Sequence, residues 1–125
     1  MAKILIVDDS RTSRRMLKNI LENSGQEIIG EASNGQEGFE QYIELQPDII
    51  TLDITMPVLD GLGTLRKIME HDPEAKVVMI TAAGQKGKMV EAIKLGASEF
   101  IQKPYEPAQI TSCLLYTSDA ADDLI

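Results

Sequence analysis

Five short apolar runs are spaced along this chain, and neighbouring runs are separated by segments long enough to hold one helix each. The runs occupy residues 4–7, 28–32, 49–52, 77–80 and 100–101. Three of them are almost unbroken in Ile, Val and Leu. Such runs are typical of strands that are covered on both faces, rather than of strands in a sheet with one face exposed to solvent. The runs therefore predict five buried strands.

The segments between the runs carry apolar residues at helical spacing. These residues are Met16, Leu17, Ile20 and Leu21, then Phe39, Tyr42 and Ile43, then Leu62, Leu65, Ile68 and Met69, and finally Met89, Val90, Ile93 and Leu95. Gly25 and Gly96 follow the first and fourth segments and suit left-handed helix ends. Because right-handed crossovers turn alternating strands and helices into a parallel sheet, we expect an open, doubly wound α/β domain with helices on both faces.

The composition favours one soluble domain inside the cell. A chain of 125 residues has the usual length of a single domain, and its one cysteine, Cys113, cannot form an internal disulfide. At the N-terminus, two aspartates follow an apolar run of only four residues, so we expect neither a signal peptide nor a membrane span. We expect an unanchored, cytoplasmic monomer.

The charge balance argues against direct binding of nucleic acid. The net charge is −8, from 12 Lys and Arg against 20 Asp and Glu, whereas nucleic-acid binding depends on neutralised phosphates. Arg11, Arg14, Arg15 and Lys18 do cluster on the first predicted helix. A solvated helix face explains them, so we assign them no function.

Polar residues follow four of the five runs, at the strand ends where doubly wound folds bind ligands. Asp8 and Asp9 follow the first run, Asp53 the third, Thr81 the fourth and Lys103 the fifth. Three nearby carboxylates repel one another unless a cation lies among them, and oxygen ligands select hard cations such as Mg²⁺. Asp8 and Asp9 alone could be turn or N-cap residues. Together, the five residues predict a magnesium site with room for a phosphoryl group.

The segments around these residues resemble the signature segments of response-regulator receiver domains. They read ILIVDDS, DIITLDITMPVLDG, VVMITA and EFIQKP, in that family's order, and the likeness covers residues 3 to about 110. The resemblance implies the receiver topology, which is a flavodoxin-like sheet. Through DITMP, the AGQ stretch after Thr81 and the lack of a following domain, the sequence is most similar to stand-alone chemotaxis regulators.

The resemblance also implies a role for each residue at the strand ends. Asp53 would be the phosphoacceptor, which forms an aspartyl phosphate. Asp9 would bind Mg²⁺ directly, Asp8 mainly through water, and the backbone carbonyl of Thr55 would complete the protein's ligands. Lys103 would place a second positive charge beside the phosphoryl oxygens. Such a domain assists its own phosphorylation and dephosphorylation, but we expect a signalling domain and not an enzyme.

Thr81 and Phe100 match the switch positions of the family. Thr81 would donate its hydroxyl to a phosphoryl oxygen only after phosphorylation, and the ring of Phe100 would then turn inward. Phe100 is equally explained as an ordinary core residue, because a sequence does not show side-chain conformation. The only histidine, His71, lies away from the strand ends, so we expect it at the surface and not as a phosphocarrier.

The implied function is that of a phosphoaccepting response regulator in a two-component system. Its partners would be a sensor histidine kinase and a downstream protein, such as a flagellar motor switch or a phosphatase. The alternative within the family is the receiver part of a truncated transcription factor or other multidomain regulator. Two other classes fit less well, because aspartate-nucleophile phosphatases need D-x-D and flavin carriers need a glycine- and hydroxyl-rich loop where this chain has Asp8 and Asp9.

The segment from Cys113 onward departs from the family. Its letters, CLLYTSDAADDLI, resemble the translated read-through of a sequencing-library adapter more than the last helix of a receiver domain. Glu106 and Pro107 suit a helix start, but the apolar spacing degrades after Leu114. We therefore expect a receiver domain over residues 1–112 and an atypical tail over residues 113–125.

Overall fold

Strands and helices alternate through the whole described part of the chain, residues 2–115 of a computed structural model. The strands are β1 (Lys3–Val7), β2 (Glu27–Ala32), β3 (Ile49–Asp53), β4 (Val77–Thr81) and β5 (Glu99–Gln102). The helices are α1 (Arg11–Asn23), α2 (Gly35–Leu45), α3 (Gly61–His71), α4 (Lys86–Leu95) and α5 (Pro107–Leu115). All five predicted strands and the helices between them are confirmed.

The five strands form one parallel sheet in the order β2-β1-β3-β4-β5. Side chains of β1 alternate between two cores: Leu5 and Val7 pack with residues of α2, α3 and α4, while Ile4 and Ile6 pack with residues of α1 and α5. Both faces of the sheet are therefore covered, and the predicted doubly wound α/β fold is confirmed. The strand order reverses between β1 and β3, where such folds form a ligand crevice.

Two glycines meet demands that other residues could not meet without strain. Gly96 ends α4 with φ +107°, in the left-handed region. At Gly61, the first residue of α3, an added Cβ would overlap the backbone carbonyl oxygen of Asp53. Asp60 caps α3 by accepting a hydrogen bond from the Gly63 N–H at 2.8 Å. This packing fixes the backbone of Asp53 against the start of α3.

Helical spacing overestimates burial at four positions, one of which is Ile43 of α2 at 40% exposure. Met16 is 55% exposed, because Leu17 and Leu21 occupy the core-facing positions of α1. In α4 only Ala92 is buried, whereas Val90 and Ile93 lie outward at 49% and 57% exposure. Ala92 and the half-buried Leu95 are thus the residues of α4 that pack against the core, while Val90 and Ile93 face outward.

Three further expectations concern the surface and the C-terminus. His71 is exposed, as predicted. Within residues 2–115, no helix has the length and apolar character of a membrane span. Of the predicted tail, residues 116–125 lie outside the described residues, and α5 continues through Leu115.

Candidate functional site

The predicted site residues meet at the carboxyl edge of the sheet. Asp8 and Asp9 follow β1, Asp53 is the last residue of β3, Thr81 is the last residue of β4, and Lys103 follows β5. Carboxylate oxygens of the three aspartates lie within 4.8 Å of one another. The three carboxylates and the ammonium of Lys103 therefore lie together at this edge, as the parallel strands predict.

Asp8 and Asp9 differ in what their carboxylates already bind. Asp8 is buried, its Oδ1 accepts a hydrogen bond from the Ser10 N–H at 2.8 Å, and its Oδ2 lies 3.3 Å from Lys103 Nζ. Asp9 is exposed, and within residues 2–115 its carboxylate accepts no hydrogen bond. Of these two residues, Asp9 is therefore the one with both carboxylate oxygens free, and the metal roles of Asp8 and Asp9 stay predictions.

The surroundings of Asp53 disfavour the ionised form of its carboxyl group. The pKa of Asp53 is raised from 3.8 to about 6: burial is the largest cause, the negative charges of Asp8 and Asp9 also raise it, and the ammonium of Lys103, 3.8 Å from Asp53 Oδ2, lowers it. Three carboxylates against one ammonium leave two uncompensated negative charges. Hard oxygen donors with that charge fit Mg²⁺.

Thr81 carries a polar group that lacks a partner. The residue is fully buried, and its Oγ1 has no hydrogen-bond partner in the part of the chain that the structure describes. Leaving a buried hydroxyl unpaired costs about 1–3 kcal/mol. A phosphoryl oxygen arriving at the end of β3 would supply an acceptor, which fits the expected role of Thr81.

Phe100 is half-buried on β5. Its side chain packs against the core shared by α2, α3 and α4. Residues 99–102 of β5 also border a cleft of about 320 Å³ next to α5. Its role as a switch stays a prediction.

The side chain of Thr55 is engaged in a way that the sequence did not show. Thr55 is exposed, and its Oγ1 accepts a hydrogen bond from Gln85 Nε2 at 2.7 Å, while Gln85 Oε1 accepts from the Ala82 N–H at 2.8 Å. Gln85 appeared in the sequence only as part of the AGQ stretch. The metal role of the Thr55 carbonyl stays a prediction.

Arg14 requires a correction to the solvated-face interpretation of the basic cluster. Its side chain is only 16% exposed, its Nη1 donates to the backbone carbonyl of Asp8 at 2.7 Å, and its Nε lies 3.2 Å from Glu31 Oε1. Arg14 thus stabilises the loop that carries Asp8 and Asp9 by a hydrogen bond to its backbone. Helical spacing, which puts Arg14 one turn after the N-cap Ser10, was the available sequence signal.

Comparison with known proteins agrees with this geometry. The family described as "Response regulator receiver domain" matches residues 4–115. The chain is 47% identical to chemotaxis protein CheY of Thermotoga maritima over 112 residues, which cover 90% of this chain and 93% of that protein. It is 51% identical to chemotaxis protein CheY of Listeria monocytogenes over 114 residues, which cover 91% of this chain and 96% of that protein.

A solved structure shares the fold. A chain in the crystal structure of the CheX–CheY–BeF3–Mg²⁺ complex from Borrelia burgdorferi aligns with a TM-score of 0.87 and 38% sequence identity. The alignment covers 90% of this chain and 86% of that chain. The order of the strands and the placement of the helices on both faces of the sheet therefore match those of this solved structure.

Proposed function

The chain belongs to the response regulator receiver domain family, and we propose that it accepts a phosphoryl group on Asp53 in a reaction that depends on Mg²⁺. One observation carries this proposal: three carboxylates, one ammonium and one unpartnered buried hydroxyl converge on one edge of the sheet from four strands. Because receiver domains are signalling domains, the phosphoryl group serves as a signal.

Asp53 supplies the nucleophile. A carboxylate oxygen attacks the phosphorus of a phosphohistidine, the N–P bond breaks with its electron pair going to the imidazole nitrogen, and an acyl phosphate forms. A pKa of about 6 leaves Asp53 mostly ionised near pH 7. The residue is therefore in its reactive form at neutral pH.

Mg²⁺, when bound, offsets negative charge on the transferred phosphoryl oxygens. Asp9 and Asp53 would be its direct carboxylate ligands, because Asp9 is exposed and otherwise unengaged. Asp8 would act through water, since both of its oxygens already face donors from Ser10 and Lys103. The backbone carbonyl of Thr55 would complete the protein's ligands.

Lys103 and Thr81 act on the phosphoryl group from the protein side. Lys103 Nζ lies 3.8 Å from Asp53 Oδ2 and is positioned to bind phosphoryl oxygens as they arrive. Thr81 would then donate its unpaired hydroxyl, and this new bond would draw the end of β4 toward Asp53. Because β4 pairs with β5 with Met79 opposite Phe100, movement of β4 would reach the Phe100 switch position.

The biological role we propose is that of a chemotaxis-type response regulator in a two-component system. The two chemotaxis relatives align with this chain over almost their whole length. A histidine kinase would supply the phosphoryl group, and the downstream target would be a protein such as a flagellar motor switch or a phosphatase. The Borrelia burgdorferi relative, in a complex with CheX, supports a protein partner. A kinase-coupled regulator of this kind would work in the cytoplasm.

We further propose that the receiver domain comprises residues 1–112 and that residues 113–125 replace the normal end of the last helix. Ile110, 1% exposed, anchors α5 in the core beside α1. Beyond Leu115 the large apolar residues are Tyr116, Leu124 and Ile125, and Thr117, Ser118 and three aspartates stand between them, so the regular apolar spacing of a core-facing helix is lost.

Phosphorylation by acetyl phosphate in the presence of Mg²⁺ tests the proposed function. Asp53→Asn should abolish incorporation of phosphate, because an amide does not act as the nucleophile. Asp48→Asn is the matched control: Asp48 lies at the opposite end of β3, is exposed and accepts a hydrogen bond from the Lys3 N–H, so this variant should be labelled normally. Full labelling of Asp53→Asn at another residue would refute the assignment.

A further inference from the structure

Gln85 connects the two loops that border Asp53. It occupies the N-cap position of α4, but its side chain makes no capping bond to that helix. Instead, one end of its amide accepts a hydrogen bond from the Ala82 N–H at 2.8 Å, and the other end donates to Thr55 Oγ1 at 2.7 Å. Thr55 follows Asp53 by two residues and Ala82 directly follows Thr81, so both partners lie beside the site.

These bonds restrain the backbone of Thr81. The peptide unit between Thr81 and Ala82 is rigid and planar, so its carbonyl and its N–H move together. The carbonyl of Thr81 accepts a hydrogen bond from the Lys103 N–H at 2.7 Å, and the Ala82 N–H donates to Gln85. The first bond belongs to the β4–β5 connection and can move with β5. The second bond, to the side-chain amide of the half-buried Gln85, has to lengthen or break when Thr81 moves toward Asp53.

We propose that Gln85 is a positioning residue that holds Thr81 and Ala82 in the unphosphorylated arrangement and thereby slows phosphorylation of Asp53. The inference rests on the proposed function. The hydrogen bond to Gln85 restrains Thr81 before phosphorylation, and Thr81 is the residue that responds to phosphorylation. The net free energy of one neutral hydrogen bond changes an equilibrium constant by about 2- to 10-fold. A change of this size shifts the equilibrium between the two arrangements of Thr81 without preventing the switch.

The packing of α4 is consistent with such a restraint. Only Ala92 of this helix is buried, and Val90 and Ile93 lie at the surface, so few side chains anchor it to the core. Its N-terminus is instead connected to the β3–α3 loop through Gln85 and Thr55. Loss of this connection would leave the start of α4 free to follow Thr81.

Three variants test the proposal. Gln85→Ala removes both bonds, Thr55→Val removes only the hydroxyl acceptor and keeps the backbone carbonyl, and the double variant combines them. Gln36→Ala is the control, because Gln36 is a similarly half-buried glutamine on α2 that hydrogen-bonds Glu40. The measurements are the rate of phosphorylation by acetyl phosphate with Mg²⁺, the rate at which the phosphate is lost, and the amide chemical shifts of residues 81–86 before phosphorylation.

Gln85→Ala should be phosphorylated about 2- to 10-fold faster than the parent, with an unchanged rate of phosphate loss. Its unphosphorylated amide shifts should move toward those of the phosphorylated parent. Because Thr55→Val breaks the same connection, the double variant should be no faster than Gln85→Ala, a non-additivity that a general loosening of the fold would not produce. Unfolding midpoints confirm that each variant is folded, and Thr55→Val preserves the test if Gln85→Ala is not.

Unchanged phosphorylation in both single variants, or additive effects in the double variant, would overturn the proposal. So would an equal acceleration of phosphate loss, which would make Gln85 a shield against water. If the parent and Gln36→Ala also take up no phosphate, the proposed function itself fails and the inference falls with it.

Discussion

Replacing Asp53 with Asn should stabilise the folded protein at pH 7 when no divalent metal is present. Burial and the neighbouring charges of Asp8 and Asp9 raise the pKa of Asp53 from 3.8 to about 6. A carboxyl with a raised pKa binds its proton more tightly in the folded state than in the unfolded state. Its favourable contribution to stability is therefore complete below about pH 4 and is lost as the pH rises through about 6.

The size of this effect follows from the pKa difference. A shift of about 2 units at 1.36 kcal/mol per unit gives up to about 3 kcal/mol at pH 7. The Asp53 side chain is only 14% exposed, so solvent screens little of this energy. In a domain of this size the corresponding rise in unfolding midpoint is up to about 10 °C.

Thermal unfolding of the parent and Asp53→Asn between pH 4 and pH 8, in a chelator, measures the effect. The stability advantage of Asp53→Asn should be near zero at pH 4, grow through pH 6 and level off by pH 7. Mg²⁺ should narrow the gap at pH 7, because the metal stabilises the parent more than the variant. Asp48→Asn, at the far end of β3, should show no such pH-dependent gain. A parent as stable as Asp53→Asn at pH 7 without metal would refute the reasoning.

Three further predictions follow from the site and the tail. Asp9→Asn should weaken Mg²⁺ binding more than Asp8→Asn, because it removes a direct ligand; an affinity of Asp9→Asn equal to that of the parent, measured by titration, would place the metal elsewhere. Thr81→Ala should still be phosphorylated but with smaller amide shift changes in α4 and β5, and a full change would end the switch assignment. Replacing residues 113–125 with an amphipathic helix should raise the unfolding free energy by about 1.5–3 kcal/mol per added buried side chain. Equal midpoints, with firm amide protection through the original tail, would show that the tail is a genuine helix end.

Strand positions were predictable because nearly unbroken apolar runs have few alternatives in a chain of this length. Gly96 also marked the end of α4 correctly, since its left-handed backbone favours glycine. Exposure was harder to predict. Periodicity identifies an apolar face but not how closely that face meets the sheet, so Met16 and Ile93 are more exposed than their spacing suggested.

The clustering of the charged site residues was predictable from the parallel sheet. Once the strands are parallel, residues such as Asp53 and Lys103 that follow them must meet at one edge of the sheet. The contacts of Gln85 were not predictable, because its partner Thr55 lies 30 residues away on another loop and no spacing rule relates two loops. Arg14 was misjudged for a related reason: its carbonyl partner is backbone, which leaves no trace in residue type.

Locating the phosphoryl group on the unaltered chain tests the role of Asp53 most directly. The protein is incubated with acetyl phosphate and Mg²⁺, treated with borohydride, which reduces an aspartyl phosphate to homoserine, and then digested for peptide mass mapping. Conversion is expected at Asp53 alone, and none is expected when a chelator is present. An unconverted Asp53, or conversion at Asp8, Asp9 or another acid instead, would contradict this role.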